Sequence, residues 1–87
     1  MKLNPIASNM TEVEIGDTLV LFSYKTPVAC RMGGHFYRTE KHWSVTTSRH
    51  INKWFRDIFS MTDAEIKEEV SELPQITLDR MCETVPA

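Results

Sequence analysis

At 87 residues, with 41% apolar and 25% charged side chains, the chain has the make-up of one soluble globular domain with a small core. Its longest apolar run, "LVLF", is far too short to span a bilayer, and the balance of apolar to charged residues excludes a disordered chain. The net charge of −2 hides a partition: residues 18–56 hold Lys25, Arg31, Arg38, Lys41, Arg49, Lys53 and Arg56 against Glu40 alone, a sum of +6, while residues 57–87 hold eight acids against Lys67 and Arg80, a sum of −6.

Residues 1–9 read as a loosely ordered lead-in, broken by Asn4-Pro5 and Ser8-Asn9. "MTEVEIGD" follows and alternates, with Met10, Glu12 and Glu14 on one side and Thr11, Val13 and Ile15 on the other. That is the pattern of a half-buried strand with one acidic face. "TLVLFSY", 18–24, is apolar on both faces and rich in strand formers, as a central strand is. Pro27 removes a ladder donor and marks a turn, a bulge or an edge position. Residues 28–32 and 35–39 are strands joined through the tight turn that Gly33-Gly34 favours. "HWSVT", 42–46, is a further strand candidate.

The periodicity then changes. Ile51, Trp54, Phe55 and Ile58 lie at i, i+3, i+4 and i+7, so a helix is predicted over 48–59, with Thr47 or Ser48 as its N-cap. "TDAE", 62–65, has the spacing of a capping box. Ile66, Val70 and Leu73 continue from it on one face, predicting a second helix that Pro74 stops. Leu78, Met81, Cys82 and Val85 fit a short third helix after Thr77, though 76–78 also fits a short strand. Strands first and helices second predict an α+β domain over residues 1–87, with strands over 10–46 and helices over 48–85. The expected architecture is a small antiparallel sheet of three to five strands with two or three helices packed on one face.

Four groups of residues could carry chemistry. Cys30, Ser44 and Ser48 are nucleophile candidates beside three histidines, but no GxSxG pattern or cysteine signature surrounds them, and the chain reads as non-enzymatic. Cys30, His35, His42 and His50 match no zinc template, so no metal or other cofactor is expected. Cys30 and Cys82 read as free thiols in a reducing compartment, and with no signal peptide the expected location is cytoplasmic. Gly33-Gly34 lacks the pattern of a phosphate-binding loop.

Binding is the reading that remains. Residues 31–56 interleave cations with aromatic rings, as a nucleic-acid surface does. The favoured contact residues are Arg38, Lys41, His42, Trp43, Thr46, Ser48, Arg49 and Lys53. Thr46, Thr47, Ser48 and Arg49 at a helix start also form a candidate phosphate pocket. An alternative acidic surface comprises Glu65, Glu68, Glu69 and Glu72, suited to a basic protein partner. Against both stands the bland account: Trp54 and Phe55 fit a core, a hydroxyl can be only a cap, and charged helices keep small proteins soluble.

Tyr24, Thr26, Pro27, Val28 and Ala29, followed by Ser44, Thr46, Thr47, His50, Ile51, Asn52 and Trp54, form a YxTPVA…SxTTxxHINxW pattern. Over about residues 18–56 this resembles a family of small uncharacterised proteins encoded by bacteriophages. The resemblance implies an origin and no reaction. It favours an accessory protein, acting in the host cytoplasm, that docks on a host or viral macromolecule to modulate or inhibit it. A protein partner is expected first and DNA or RNA second; a homodimer is compatible with either.

Overall fold

Short strand-forming runs separated by two-residue turns build a meander before any helix begins. The structure, a computed structural model, describes residues 2–83. Strands β1 (Lys2–Ala7), β2 (Met10–Ile15), β3 (Thr18–Ser23), β4 (Thr26–Met32) and β5 (His35–Thr39) pair antiparallel in chain order. Every turn between them carries a positive φ, at Asn9, Gly16, Tyr24, or Gly33 and Gly34. Tight hairpins need that backbone, and glycine meets it without strain. The expected Gly33-Gly34 turn is one of the four.

The lead-in at residues 2–7 is a strand and not a loose arm. Lys2 pairs with Glu14, Leu3 with Val13 and Asn4 with Glu12, so the sheet gains an outer strand. Pro5 is tolerated there because an edge strand can lose a ladder donor. Pro27 sits inside β4 at a bulge: Leu21 faces Ala29 while Phe22 faces Pro27, leaving Val28 as the extra residue.

Helix α1 (Val45–Lys53) starts earlier than the predicted 48, and residues 42–46 form no strand. Its N-cap is Ser44, whose Oγ accepts the Thr47 N–H at 3.1 Å, and not Thr47 or Ser48. The helix runs on into a π-helical turn, Trp54–Ile58. A π turn inserts one residue into the helical phase. Phe59 therefore takes the inward position predicted for Ile58, which is 44% exposed.

Helix α2 (Asp63–Glu69) opens with the expected capping box, Thr62 and Glu65 each bonding the other's backbone N–H at 3.2 and 3.1 Å. It is shorter than predicted. Residues 70–73 leave the helix as β6 (Val70–Leu73), which pairs parallel with β5. The sheet is therefore six-stranded and mixed, in the order β1-β2-β3-β4-β5-β6, and not a purely antiparallel sheet of three to five strands. Val70 and Leu73 are three apart, which on a helix would share a face. On a strand they point to opposite faces, and Val70 and Leu73 indeed pack against different core clusters.

After Pro74 the chain forms α3 (Gln75–Met81), which begins before Thr77. The part of the predicted 48–85 helical region that includes Val85 lies outside the described residues. The helices do not share one face. Ile51, Trp54, Phe55, Met61 and Ile66 pack with Met10, Leu21, Val28 and Ala29, whereas Leu78 of α3 packs with Val20 and Cys30. Alternate residues of β3 and β4 thus feed two cores on opposite sides of the sheet. Among the described residues no helix is long and apolar enough to cross a membrane.

Candidate functional site

The strand-to-helix junction at 39–44 is the natural place to begin, because the predicted contact residues cluster around it. Trp43 is 42% exposed, yet it is held: its Nε1–H donates to Gln75 Oε1 at 3.0 Å, and Lys41 Nζ lies 3.9 Å from the ring centroid. Gln75 is the hub behind it. Its Oε1 also accepts from Thr39 Oγ1 at 2.7 Å, and its Nε2 donates to the Pro27 carbonyl and to Asp79 Oδ1. One side chain at the start of α3 therefore fixes the loop that carries Lys41, His42 and Trp43.

Thr46, Arg49 and Lys53 stand exposed at i, i+3 and i+7 along α1, and Ser48 is half-buried beside them. This exposed stripe, together with exposed Trp43 two residues before the helix, is termed the ledge. Arg38 and His42 lie elsewhere, on a cleft of about 650 Å³ between β5 and the helices, and Lys41 belongs to both, lining the cleft and lying over the Trp43 ring. Arg56 and Lys67 join them there, but so do Glu40, Asp63 and Glu72. The predicted set is thus split between a ledge and a cleft, and the cleft is of mixed sign.

Two ion pairs occur among the described residues, Lys53 Nζ–Asp57 Oδ2 at 3.2 Å and Arg56 Nη1–Asp63 Oδ1 at 3.5 Å, both exposed. Neither involves Arg38, Lys41 or Arg49, and neither involves Glu65, Glu68, Glu69 or Glu72. The acidic alternative is dispersed: Glu65 is spent on the capping box, Glu72 lines the cleft opposite Arg38, and Glu68 and Glu69 are exposed on α2. The candidate phosphate pocket at the start of α1 is altered too. Thr47 is buried and its N–H is taken by Ser44.

The sequence reading missed a buried polar chain. Ser23 Oγ lies 2.7 Å from His50 Nδ1 and 3.2 Å from Thr47 Oγ1, which in turn accepts from Ser44 Oγ at 3.2 Å. Ser23 is 2% exposed, so this pair ties α1 to β3 and presents no open nucleophile. On the same face Glu12 is buried and accepts the Trp54 Nε1–H at 2.9 Å and the Asn4 amide at 3.3 Å. The face read as acidic, with Met10, Glu12 and Glu14, therefore points inward at Met10 and Glu12, and the apolar Met10 beside Glu12 was the available signal for it. Burial, and secondarily the neighbouring Cys82, pushes the Cys30 thiol up from 9.0 to about 11. Burial, and then Asp79, pushes Cys82 up as well. Neither is an activated thiol. Cys30 and His50 face different cores, and among the described residues no three His, Cys, Asp or Glu side chains are grouped to hold an ion.

A protein-family model, a family of unknown function designated DUF8033, matches residues 1–72. The chain belongs to that family. The matched region holds all of the meander, α1, α2 and most of β6, and ends before α3. The family's description names no activity and so assigns no residue a role. No curated protein and no solved structure matches the chain. Within the family region, the positions that carry the YxTPVA…SxTTxxHINxW pattern are chiefly engaged in folding. Pro27 and Val28 make the bulge, Ser44 caps α1, Thr47 and His50 bond Ser23, and Ile51 and Trp54 fill the core.

Proposed function

We propose that the chain is a non-enzymatic accessory binding protein, of the phage-encoded kind its sequence pattern resembles, that docks on a host or viral protein and modulates it. The contact surface is the ledge of Lys41, Trp43, Thr46, Arg49 and Lys53. One observation carries this reading: Trp43 is exposed but pinned by Gln75 and Lys41. Trp and Arg are the residue types that most often anchor interfaces. A side chain already held in place loses little freedom on binding. A Trp serving only the fold would be buried, as Trp54 is.

Nucleic acid is the weaker occupant, because Lys53 of the ledge is already paired with Asp57, and the cleft that Lys41 also lines sets Glu40, Asp63 and Glu72 among its cations. Phosphate backbones select surfaces of one sign. The test uses the wild-type chain and a K41E/R49E variant as baits in nuclease-treated lysate, with a fluorescent single-stranded oligonucleotide titrated in parallel at ~50 mM salt. The expected result is a specific protein that the variant loses, with no oligonucleotide binding. A protein captured equally by both baits rejects the ledge. Saturable oligonucleotide binding that weakens with salt replaces the protein reading with the nucleic-acid one.

A further inference from the structure

Among the described residues α3 is the one helix that lies wholly beyond the matched family region, and its two ends are held differently. The first end is tied by polar bonds, since Gln75 reaches Thr39, Trp43 and the Pro27 carbonyl. The far end rests on the sheet through apolar contact alone, by way of Leu78, Met81 and Cys82.

That far end brings two thiols together. Leu78 and Cys82 are one helical turn apart and share a face of α3. Leu78 is wholly buried against Val20 and Cys30, and Cys82 packs on the same cluster from the next turn. The helix rides low because β4 presents a side chain as small as Cys30 beneath it, and Cα atoms of the two elements come within 8 Å. A disulfide spans about 4.4–6.8 Å between Cα atoms. A helix end held only by apolar contact can settle by that difference. Cys82 is also near enough to push the Cys30 thiol up beyond what burial does. The two sulfurs differ in access: Cys30 is buried and Cys82 is half-buried. One open thiol to meet an oxidant and one shielded thiol to resolve it is the arrangement that closes within a chain.

We infer that Cys30 and Cys82 are a redox-closable pair, which a small disulfide of the glutathione class converts to an internal disulfide that latches α3 onto β4. The Cys82 thiolate attacks one sulfur of the small disulfide. That S–S bond breaks, one small thiolate leaves, and a mixed disulfide remains on Cys82. The Cys30 thiolate then attacks the Cys82 sulfur and expels the second small thiolate. Two protein thiols are oxidised, one small disulfide is reduced to two thiols, and the two protons the protein sheds are taken up by the leaving thiolates. Both protein thiols are pushed up, so closure is slow at neutral pH and follows a sustained change in thiol–disulfide ratio. The latch goes beyond the docking reading and needs no partner.

The experiment incubates the reduced full chain with oxidised glutathione at about pH 8.5, folded and in ~6 M guanidinium chloride, with acid quenching, intact mass and peptide mapping. The folded chain should lose about 2 Da, with Cys30 joined to Cys82. The bridge should form at a ratio of oxidised to reduced glutathione at least about tenfold lower in the folded than in the unfolded chain. It should raise the unfolding midpoint by about 10 °C and slow hydrogen exchange across α3. Cys30→Ser should stop at one glutathione on Cys82, and Cys82→Ser, which alters only a half-buried position, should stay unmodified.

Four results overturn the inference: glutathione adducts without a bridge, a bridge joining two chains, an internal bridge no more favoured when folded than when unfolded, or one that lowers the midpoint. Rapid modification of Cys30 in the Cys82→Ser chain overturns it too, because the shielded thiol would then be open. None of these outcomes alters capture through Lys41 and Arg49, so the docking proposal stands or falls by its own test.

Discussion

The two faces of the sheet are covered very differently. On the α1–α2 face, Trp54 and Phe55 are wholly buried and meet Phe59 and Phe36 in a web of edge-on and tilted ring contacts. On the α3 face the buried apolar cluster comprises, among the described residues, only Val20, Cys30 and Leu78. Geometry explains the contrast. Six strands spaced ~4.8 Å apart make a sheet roughly 24 Å wide, and one helix is roughly 10 Å across. α3 therefore covers the neighbourhood of β3 and β4 and leaves the β1–β2 side open, where Leu3 stands exposed. The first face is given over to folding; the second has surface to spare.

That contrast can be broken by deleting from each core in turn. Trp54→Ala should cost the most, roughly 3–5 kcal/mol, because it opens a cavity and takes from the buried Glu12 carboxylate the donor to its Oε1. Denaturant unfolding would measure it. Combining Trp54→Phe with Glu12→Leu separates the two causes. Removing both hydrogen-bond partners should cost less than the sum of the single changes. Strict additivity would mean the 2.9 Å bond contributes nothing.

Leu78→Ala should cost less, about 2–3 kcal/mol, since a thin core at a partly open face collapses around a deletion more readily. Hydrogen exchange should show the loss confined to α3, with α1 protected to nearly the wild-type level. Equal loss of protection in both helices would mean that the two faces are one cooperative core. Cys30 supplies a pH-dependent version of the same test. Its thiol is raised from 9.0 to about 11, so between those values the unfolded chain has shed a proton that the folded chain keeps. Stability contributed at Cys30 is complete below pH 9 and falls as pH climbs toward about 11. The difference in unfolding free energy between wild type and Cys30→Ala should narrow or change sign across that window; a constant difference would contradict it.

How much of this was legible depended on whether a feature is local. The hairpin at Gly33-Gly34, the capping box of Thr62 and Glu65, and the burial of Ile51, Trp54 and Phe55 follow from short-range rules, and each is present. The failures share a cause, which is that a partner distant in sequence decides the outcome. "VSEL" has helical spacing, but β5 offers it an open edge, and pairing of Phe36 with Val70 overrides the helix. Lys2–Ala7 looked loose because its ladder partner lies across a turn. The π turn at Trp54–Ile58 moves the inward position by one residue, which no periodicity count foresees. At the candidate site, residue types were readable, but Gln75, the side chain that pins Trp43, gave no sign of its reach to Pro27 and Thr39.

The smallest expected effect bears on the charge partition. A basic middle and an acidic tail in one small domain can neutralise each other across the fold. In the structure the pairs that form are Lys53 with Asp57, one turn apart, and Arg56 with Asp63 at the start of α2, both exposed. Exposed pairs contribute about 0–1 kcal/mol, and i,i+4 helix pairs ~0.3–0.5. Asp57→Asn and Asp63→Asn should therefore each shift stability by less than about 1 kcal/mol. The second should cost more than the first, since Asp63 also sits in the first turn of α2, where a carboxylate complements the helix dipole. Both changes unmask a cation, so low-salt affinity for a polyanion such as heparin should rise as stability barely moves. A loss of several kcal/mol from either substitution would mean the two charged segments clasp each other after all, and that the ledge is part of a seam instead of a free surface.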